Sequence, residues 1–374
     1  MKKALSILMV CCMLLALCAC GTAAAPAEPA KPAESGNSSG NSEIAQQVLE
    51  NTGEYKQQQE DAEVMSVAGE LPGADKANER YLIGVSMSAY DEYHSQWYAS
   101  CERTAEELGC DIVYTAADNS VEQQLSGIES LIEQGCDAIL VRAIDADGCV
   151  SAGEAITNAG IKLVLSSNNL NVDKFDLAIM SDQYVYAEQQ AKYLMDVIEK
   201  NPDLVLNVGY LWGVTGISQV EERYLGFKEN SVDISDRINL IAEDIANWST
   251  NEAMNKVENW LEAYGDELNC VVAMNDTMAL GAVEAFKAAG RDLSQVWVVG
   301  LDGSAAGIQS VLDGELDCTA YKDIDLDAKI QIRMTVDLLN NPEKYADSNY
   351  YLLGDNLFPL SLETYDEIMA MKGN

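Results

Sequence analysis

Apolar positions follow two alternating periods along residues 80–340. Strand-length apolar runs such as RYLIGVSMS, CDIVYTAA, CDAILVRAI and IKLVLSSN alternate with segments such as SQWYASCERTAEELG and SVEQQLSGIESLIEQG, whose apolar residues recur at helical spacing. Gly closes several of the helical segments, as is usual where a helix ends in a left-handed residue. The same alternation resumes at Tyr184 and continues through VWVVGLDG. The pattern predicts doubly wound parallel sheets with helices on both faces.

The chain length and one break in the pattern favour two lobes. A chain of 374 residues is long enough for about two domains. The strand–helix alternation is interrupted near MSDQ, Met180 to Gln183, which we interpret as the first crossing from one α/β lobe to the next.

The N-terminus carries the features of an export signal. The basic MKK precedes the apolar ALSILMVCCMLLAL, which is short for a membrane span, so residues 1–19 are predicted to be a signal peptide. The following LCAC resembles the lipobox of bacterial lipoproteins, and this resemblance implies that Cys20 is lipidated and becomes the mature N-terminus. Cys18 is a weaker candidate, and a plain cleaved signal is the alternative.

Residues 20–78 are predicted to be a flexible tether that follows the lipidated cysteine. The stretch GTAAAPAEPAKPAESGNSSGNSE has no hydrophobic period and too few large apolar residues to bury a core. A flexible chain of that length spans roughly 40–45 Å. The globular body is therefore expected to lie outside the cytoplasmic membrane and to touch it through the N-terminal lipid only.

The charge balance excludes nucleic acid as a partner. The chain has 61 acidic and 23 basic residues, a net charge of −38, and such a field repels nucleic acid and anionic lipid head groups. Most of these carboxylates are interpreted as a solvated surface.

The cysteines beyond the signal do not fit a metal template. Most lie within apolar strand or helix patterns, where a thiol packs as a small apolar group, so buried free thiols are predicted although export would permit disulfides. These six are Cys101, Cys110, Cys136, Cys149, Cys270 and Cys318.

No catalytic motif is recognisable. The sequence lacks a Walker loop, a GxGxxG after a strand, HExxH, GxSxG and CxxC, and its single histidine is His94. We therefore expect no enzyme activity, no catalytic residue, no cofactor and no metal site.

The segment CVVAMNDTMALGAVEAFKAAG joins an apolar run directly to an Ala-rich helix pattern. Asn275 at this junction could simply cap the helix, since its side chain can accept from the first turn. It could also contact a ligand, because ligands of open parallel sheets bind at the carboxyl ends of strands.

The order of the motifs resembles the periplasmic sugar-binding proteins of the ribose/galactose type. MNDTMALGAVEAFKAAG followed by VVGLDGSAAGIQSVLDGEL is similar to that family's paired signature, and AYDEYHSQW and TGISQVEERYLGF stand in the expected places. The resemblance covers about residues 80–360. It implies a type I, Venus-flytrap fold: two lobes joined by a three-stranded hinge, with residues 80–181 and about 323–353 in the first lobe and residues 182–322 and about 354–374 in the second.

The resemblance also implies a set of ligand-binding positions. The amide at Asn275 and the carboxylate at Asp302 match the family's binding positions at two strand ends. The first β–α turn supplies a polar acceptor, a stacking aromatic and a further ring, and the second lobe supplies another aromatic; these four match Asp91, Tyr93, His94 and Trp248.

Four further family positions carry unexpected residues. Ser167 and Asn168 replace an Asp-Arg or Asn-Lys pair, Glu221 replaces a binding Arg, and Lys322 replaces a Gln or Asn at a crossover. Arg223, two residues after Glu221, is interpreted as structural. Two cationic or bidentate donors are thus expected to be missing from the cleft.

The implied function is capture of a sugar, whether pentose, hexose or polyol, by closure of the lobes and delivery to an ABC permease. The protein is expected to act as a monomeric extracytoplasmic lipoprotein. The alternatives are a receptor that signals through a membrane kinase or chemoreceptor, or an amino-bearing or other small polar ligand.

Overall fold

The computed structural model describes residues 63–65, 71–353 and 357–372. The signal peptide, Cys20 and the remaining tether up to residue 62 lie outside the described residues. The strands of the described part are, in chain order, β1 Glu63–Met65, β2 Leu82–Met87, β3 Asp111–Ala116, β4 Ala138–Val141, β5 Lys162–Ser166, β6 Leu177–Ser181, β7 Leu206–Trp212, β8 Ile238–Ile245, β9 Cys270–Ala273, β10 Trp297–Asp302, β11 Cys318–Lys322, β12 Tyr350–Leu353 and β13 Leu357–Ser361.

The helices of the described part alternate with these strands. They are α1 Glu92–Leu108, α2 Val121–Glu133, α3 Val150–Asn158, α4 Gln183–Lys200, α5 Ser218–Glu229, α6 Thr250–Tyr264, α7 Asp276–Ala288, α8 Ala305–Leu312, α9 Ile324–Asn340 and α10 Tyr365–Lys372. None of these described helices has both the length and the apolar character that a membrane crossing requires.

Two sheets form the two lobes, as predicted. The first sheet has the order β1-β12-β6-β5-β4-β2-β3 and is parallel throughout. The second has the order β13-β11-β10-β9-β7-β8, in which β13 is antiparallel to β11 and the other pairs are parallel. The antiparallel edge strand departs from the prediction of purely parallel sheets, because the chain returns from the first lobe before it forms β13.

The chain passes between the lobes after β6, after β11 and between β12 and β13. Helix α4 therefore packs on the second sheet, whereas α9 returns to the first lobe and packs on α1. The central strands of each sheet are apolar on both faces because helices cover both faces of the sheet, which is typical of parallel sheets. Trp97 and Tyr98 on α1 are buried in the core of the first lobe.

The first lobe begins earlier than the sequence indicated. Strand β1 pairs in parallel with β12, and the Arg333 guanidinium donates hydrogen bonds to the carbonyl of Pro72 (2.9 Å) and to Asp75 (2.8 Å). Gly73 has a φ of 87°, and a Cβ there would lie 2.4 Å from the Arg333 backbone. Residues 63–65 and 71–78 thus belong to the lobe, which corrects their assignment to the tether. The sequence did not indicate this because these residues have a tether-like composition, and a three-residue edge strand is too short to show a hydrophobic period.

The prediction of buried free thiols is confirmed for the described cysteines. Cys101, Cys110, Cys136, Cys149, Cys270 and Cys318 are all unpaired with one another and buried. They fill positions inside the apolar cores of the two lobes, where a thiol serves as a small apolar side chain.

Candidate functional site

A polar cleft lies between the lobes, at the carboxyl ends of strands from both sheets. It contains about 550 Å³ not filled by atoms, part of it open to solvent. Its walls combine amides, carboxylates, cations and rings, contributed by Ser88, Ala89, Asp91, Tyr93, His94, Asn119, Arg142, Asn168, Ile217, Gln219, Arg223, Trp248, Asn275, Asp302 and Lys322. This placement is the one that open α/β sheets use for ligands.

The lobes contact each other around the cleft. The Ala306 N–H at the start of α8 donates to the carboxylate of Glu92 at the start of α1, at 3.2 Å. The backbone N–H of Ala146 donates to the carbonyl of Gly216 at 3.4 Å. These bonds join residues of different lobes, so the structure shows the two lobes brought together over the cleft.

The first helix places an acid and the histidine at the cleft rim. Asp91 precedes α1 in extended conformation and caps it, accepting from the His94 N–H at 2.9 Å. The same carboxylate lies 2.7 Å from His94 Nδ1, and His94 Nε2 lies 3.1 Å from Ser88 Oγ. Nδ1 must carry a proton to donate to a carboxylate. Burial raises the pKa of Asp91, but the hydrogen bond and charge of His94 outweigh it and hold that pKa below its ordinary value.

Tyr93 lies at the floor of the cleft between two cations. Its phenol oxygen accepts from Lys322 Nζ at 2.8 Å and from Arg142 Nη2 at 3.2 Å. Lys322 ends β11 at the crossing between lobes, and Arg142 directly follows β4. The ring is therefore fixed through its hydroxyl group, and that limits its role as a free stacking surface.

One carboxylate serves both of these buried cations. Asp327 Oδ2 lies 3.8 Å from Lys322 Nζ and 4.0 Å from Arg142 Nη1. It also accepts from Trp97 Nε1 at 2.8 Å and, through Oδ1, from Ser181 Oγ at 3.1 Å. Burial lowers the pKa of Lys322, but the nearby Asp327, with Tyr93 and Tyr186, outweighs burial and raises that pKa above its ordinary value.

In the second lobe, Asn275 caps a helix and also faces the cleft. Its Oδ1 accepts from the Met278 N–H at 2.9 Å and so caps α7. The residue also lines the cleft. Since the cap uses the carbonyl oxygen, the amide NH₂ is the group of Asn275 that can donate to a ligand.

Asp302 ends β10 with a left-handed backbone, at a φ of 121°. Non-glycine residues in such conformations are costly and often occur at functional sites. Its Oδ1 lies 3.5 Å from Arg223 Nη2. Burial raises the pKa of Asp302 to about 6, although Arg223 and Lys322 act in the opposite direction.

Behind Asp302 lies a second buried acid, Asp276. Its Oδ2 accepts from the backbone N–H and the hydroxyl of Ser304, at 2.8 and 3.0 Å, and thereby fixes the start of α8. Burial, followed by the charge of Asp302, raises the pKa of Asp276 to about 7.

Trp248 supplies the aromatic ring of the second lobe. It has a left-handed backbone, with a φ of 61°, and the guanidinium of Arg223 lies 5.7 Å from the ring centre. The ring crosses the end of β7 so closely that a Cβ on Gly213 would lie 2.0 Å from it. Only glycine at residue 213 leaves room for this position of the indole.

The structure brings eight of the ten predicted ligand-binding residues to the cleft: Asp91, Tyr93, His94, Asn168, Trp248, Asn275, Asp302 and Lys322. Asn168 donates through Nδ2 to the Ala143 carbonyl at 2.8 Å, so its Oδ1 is the atom that can accept from a ligand. Two predicted residues do not line the cleft. Ser167, with a φ of 60°, turns toward Gln331, which donates to its hydroxyl at 3.3 Å. Glu221 lies in the first turn of α5 and is buried, but it is not among the residues that line the cleft.

The expectation that cationic donors are missing is wrong. Arg142 and Arg223 both line the cleft. Arg223 has the structural role predicted for it as well, since it donates to Gln183 Oε1 at 2.9 Å and to the carbonyl of Met274. Arg223 therefore lines the cleft from α5, two residues after the position where the resemblance implies an arginine. Arg142 was not among the predicted ligand-binding residues because it belongs to an ordinary apolar strand pattern, CDAILVRAI. The one feature that could have indicated it is its position at the carboxyl end of that strand.

The cleft has no feature of a metal centre. Within the described ranges, no group of three or more His, Cys, Asp or Glu side chains is arranged to hold an ion.

Comparison with known proteins agrees with this geometry. A xylitol-binding protein of Mycolicibacterium smegmatis is 29% identical over 279 residues, covering 72% of this chain and 75% of that protein. A ribose import binding protein of Bacillus subtilis is 27% identical over 270 residues, covering 72% and 85%.

Solved structures share the same architecture. An ABC transporter solute-binding protein from Bacillus halodurans with bound myo-inositol superposes with a TM-score of 0.66 at 25% identity, covering 80% of this chain and 99% of that one. A solute-binding protein from Actinobacillus succinogenes with bound D-allose gives 0.67 at 25% identity, covering 77% and 100%.

The sequence profile of one family spans most of the two lobes. The periplasmic binding protein domain matches residues 83–343, from the first full strand of the first lobe to the end of α9 and slightly beyond. This match confirms the resemblance that the motifs indicated. The chain belongs to the periplasmic binding protein family of the ribose/galactose type.

Proposed function

We propose that this protein captures a sugar or polyol between its lobes and delivers it to an ABC importer. The observation that supports this most strongly is the composition of the cleft. Amide and carboxylate groups from Asn275, Asp302 and Asp91 face the same space as the indole of Trp248. A sugar needs both, because its hydroxyl edges require directed donors and acceptors while its C–H faces pack on rings.

Closure of the lobes explains how such a site would be selective. Asn275 and Asp302 are buried in this arrangement of the lobes, each less than a tenth exposed. A ligand that leaves a buried donor or acceptor unpaired costs about 1–3 kcal/mol for each such group. Because ligand contacts both walls only when the lobes are together, binding shifts the population toward that state.

The relatives support the transport role. Those reported above are named for binding xylitol or ribose, or were solved with myo-inositol or D-allose, and two are described as ABC transporter solute-binding proteins. We propose that this chain acts likewise outside the cytoplasmic membrane, anchored by a lipid on Cys20, as a monomer and without catalysis.

A thermal-shift screen tests the ligand class. Pentoses, hexoses, polyols and their amino and acid derivatives are added to the purified full chain, and we expect at least one to raise the melting temperature. Asn275→Ala and Asp302→Ala should abolish that rise while the melting temperature without ligand stays within a few degrees. A screen without any responding carbohydrate would refute the proposal.

Small-angle scattering tests the mechanism. We expect the radius of gyration of the ligand-free protein to exceed that of the complex, since an open population closes on binding. An identical radius in both samples would argue against capture by closure, even if a carbohydrate binds.

A further inference from the structure

Three side chains at the rim of the cleft form one hydrogen-bonded series, called here the cleft relay. Ser88 Oγ lies 3.1 Å from His94 Nε2, and His94 Nδ1 lies 2.7 Å from Asp91 Oδ1. All three residues line the cleft. Ser88 directly follows β2, whereas Asp91 and His94 stand at the start of α1. The relay therefore joins a strand end to a helix start and extends beyond the local cap of the helix.

The carboxylate of Asp91 sets the direction of the first bond in the relay. Burial raises the pKa of Asp91, but the hydrogen bond and charge of His94 hold that pKa below its ordinary value, so the group is ionised near neutral pH. An ionised carboxylate can only accept. The same Oδ1 also accepts from the His94 N–H, at 2.9 Å. Nδ1 of His94 is therefore the nitrogen that carries a proton.

The role of Nε2 then depends on the charge of His94. A neutral imidazole has one donor nitrogen and one acceptor nitrogen, so with the proton on Nδ1 the other nitrogen accepts and the Ser88 hydroxyl donates to it. The lone pairs of Ser88 Oγ are left for other donors. In the charged imidazolium both nitrogens donate. Nε2 then donates to Ser88, and the hydroxyl proton of Ser88 is free to bond elsewhere.

The hydroxyl of Ser88 is directed to the cleft and to His94. His94 Nε2 is the one hydrogen-bond partner of Ser88 Oγ among the described residues. The Ser88 carbonyl accepts from the Asn119 N–H at 2.8 Å, which holds the backbone of the turn. Ser88 lines the cleft and is only 7% exposed. A bound molecule, rather than bulk water, is therefore the natural partner for the remaining positions of this oxygen.

We infer that His94 fixes Ser88 as a hydrogen-bond acceptor for a hydroxyl group of the captured sugar or polyol, and that protonation of His94 reverses this polarity. The inference rests on the proposed function and deepens it. It makes His94 a positioning residue, which acts on the ligand through Ser88, in addition to the ring wall that it supplies.

The neighbouring groups leave this polarity to His94. The Tyr93 ring meets the His94 ring edge to face, with 5.3 Å between the ring centres. The charge of Arg142 acts on Asp91, and the charge of Asp91 acts on Asp302. Among the described residues, the Tyr93, Arg142 and Asp302 side chains make no hydrogen bond to the imidazole or to the Ser88 hydroxyl.

Two acids titrate in the same range as an ordinary histidine, which changes its charge between about pH 5 and pH 8. Burial raises the pKa of Asp302 to about 6 and that of Asp276 to about 7. A pH profile of the affinity for one ligand would therefore combine several groups. The tests below observe His94 directly, or compare two ligands at each pH.

NMR tests the relay without a ligand. The chain contains a single histidine, so ¹⁵N-histidine labelling of the full chain, purified without a histidine tag, reports on His94 alone. We expect the neutral form to carry its proton on Nδ1, and Nε2 to gain a proton on titration toward pH 5. A neutral form with its proton on Nε2 would overturn the inference, because Ser88 would then receive a hydrogen bond at neutral pH.

Fluorinated analogues test the polarity toward the ligand by calorimetry. The probe is the neutral sugar or polyol with the largest thermal shift in the screen above, with analogues in which fluorine replaces one hydroxyl at a time. Fluorine cannot donate, so one analogue should bind about tenfold more weakly than its parent at pH 8, where the Ser88 acceptor is left without a partner. At pH 5, where Ser88 donates, this ratio should fall to about threefold or less.

A set of variants assigns this ratio to the relay. Ser88→Ala removes the hydroxyl, and His94→Phe keeps a ring that neither bonds nor titrates, so both should give a small ratio at pH 5 and at pH 8. Ser95→Ala removes a hydroxyl from the same helical turn, outside the cleft lining, and should retain the ratios of the natural protein.

The outcomes separate the inference from the proposed function. A ratio that is the same at pH 5 and pH 8, or that survives His94→Phe, would overturn the role of His94 and leave capture of a sugar standing. If His94→Phe does not fold, the titration of the natural protein and Ser88→Ala give the answer. If no sugar or polyol binds at all, the inference and the proposed function both fail.

Discussion

The two walls of the cleft are built in different ways. In the second lobe, the amide and the carboxylate of the cleft stand where a strand meets a helix: Asn275 caps α7, and Asp302 ends β10 with a strained backbone. On the opposite side, Tyr93, Arg142 and Asp327 of the first lobe come from separate parts of the chain and are held together with Lys322, which ends β11 of the second sheet. One wall depends on local backbone geometry, and the other depends on a buried charge network.

This difference predicts how each wall responds to change. A substitution in the second lobe should alter ligand contacts while the fold persists, because the backbone fixes each residue separately. A substitution in the charge network should affect stability first, because each member compensates another in a site from which water is excluded. The following predictions test this contrast.

The largest effect is expected for Asp327→Asn. This change leaves Arg142 and Lys322 buried without a carboxylate, so we expect the free energy of unfolding to fall by about 3–5 kcal/mol. Urea denaturation measures it. Adding Lys322→Gln should restore part of the loss by removing one cation, and Asp325→Asn, an exposed acid of the same helix, is the control. A double variant less stable than Asp327→Asn would contradict the shared-carboxylate arrangement.

The buried acid Asp276 should make stability depend on pH. Its folded pKa of about 7 exceeds the ordinary 3.8, so the folded state binds the proton more tightly than the unfolded state. Its contribution to the free energy of unfolding therefore falls as pH rises from about 4 to 7 and is constant above, a change of up to about 4 kcal/mol.

Comparison with Asp276→Asn isolates this contribution. Asparagine does not titrate, so the stability of the variant relative to the natural protein should increase between pH 5 and pH 8 in urea denaturation. Asp203→Asn, at an exposed position of the same lobe, should show no such trend. A relative stability independent of pH would mean that Asp276 has an ordinary pKa.

Gly213→Ala should displace the indole of Trp248 without unfolding the lobe. The added Cβ would lie 2.0 Å from the ring, so the ring must leave the cleft. We expect the ligand affinity to fall about 30-fold, equivalent to about 2 kcal/mol, the effect typical of losing a central aromatic contact. If Gly213 affects binding only through this ring, adding Gly213→Ala to Trp248→Ala should not reduce the ligand affinity any further.

The smallest effect is expected at the cleft mouth. Glu92 accepts from Ala306 across the lobes at the start of α8, where a negative charge is favourable, so Glu92→Gln should favour the open state by about 1 kcal/mol or less. A slightly larger radius of gyration without ligand, and a ligand affinity reduced only a few-fold, would show this. An unchanged radius of gyration would mean that other contacts between the lobes, and not the Glu92–Ala306 hydrogen bond, hold the cleft closed.

The contrast between the walls also explains what the sequence could reveal. The alternation of strand and helix patterns was sufficient to predict two α/β lobes. Local signals indicated Asn275 and Asp302, because helix caps and turns are encoded by neighbouring residues. The partners of the charge network are far apart in sequence: Lys322 and Tyr93 are separated by 229 residues, and Trp97 and Asp327 by 230. No local pattern could show that Arg142 lies with them.

Two errors have the same origin. Ser167 was placed at the ligand by position, but its left-handed backbone turns the side chain toward Gln331. Glu221 occupies the position where the resemblance implies an arginine, whereas Arg223 reaches the cleft from the same helix. In both cases the residue lies in the predicted region, but the direction of its side chain depends on the three-dimensional structure and cannot be read from the local sequence.

The buried thiols are natural probes of local unfolding in each lobe. Burial raises the pKa of Cys136 to about 11 and raises those of the other five, so an alkylating reagent meets little thiolate while the lobes are folded. Four of these cysteines lie in the first lobe, and Cys270 and Cys318 lie in the second. The order in which they become modified under mild denaturant therefore reports which lobe loosens first, without any engineered label.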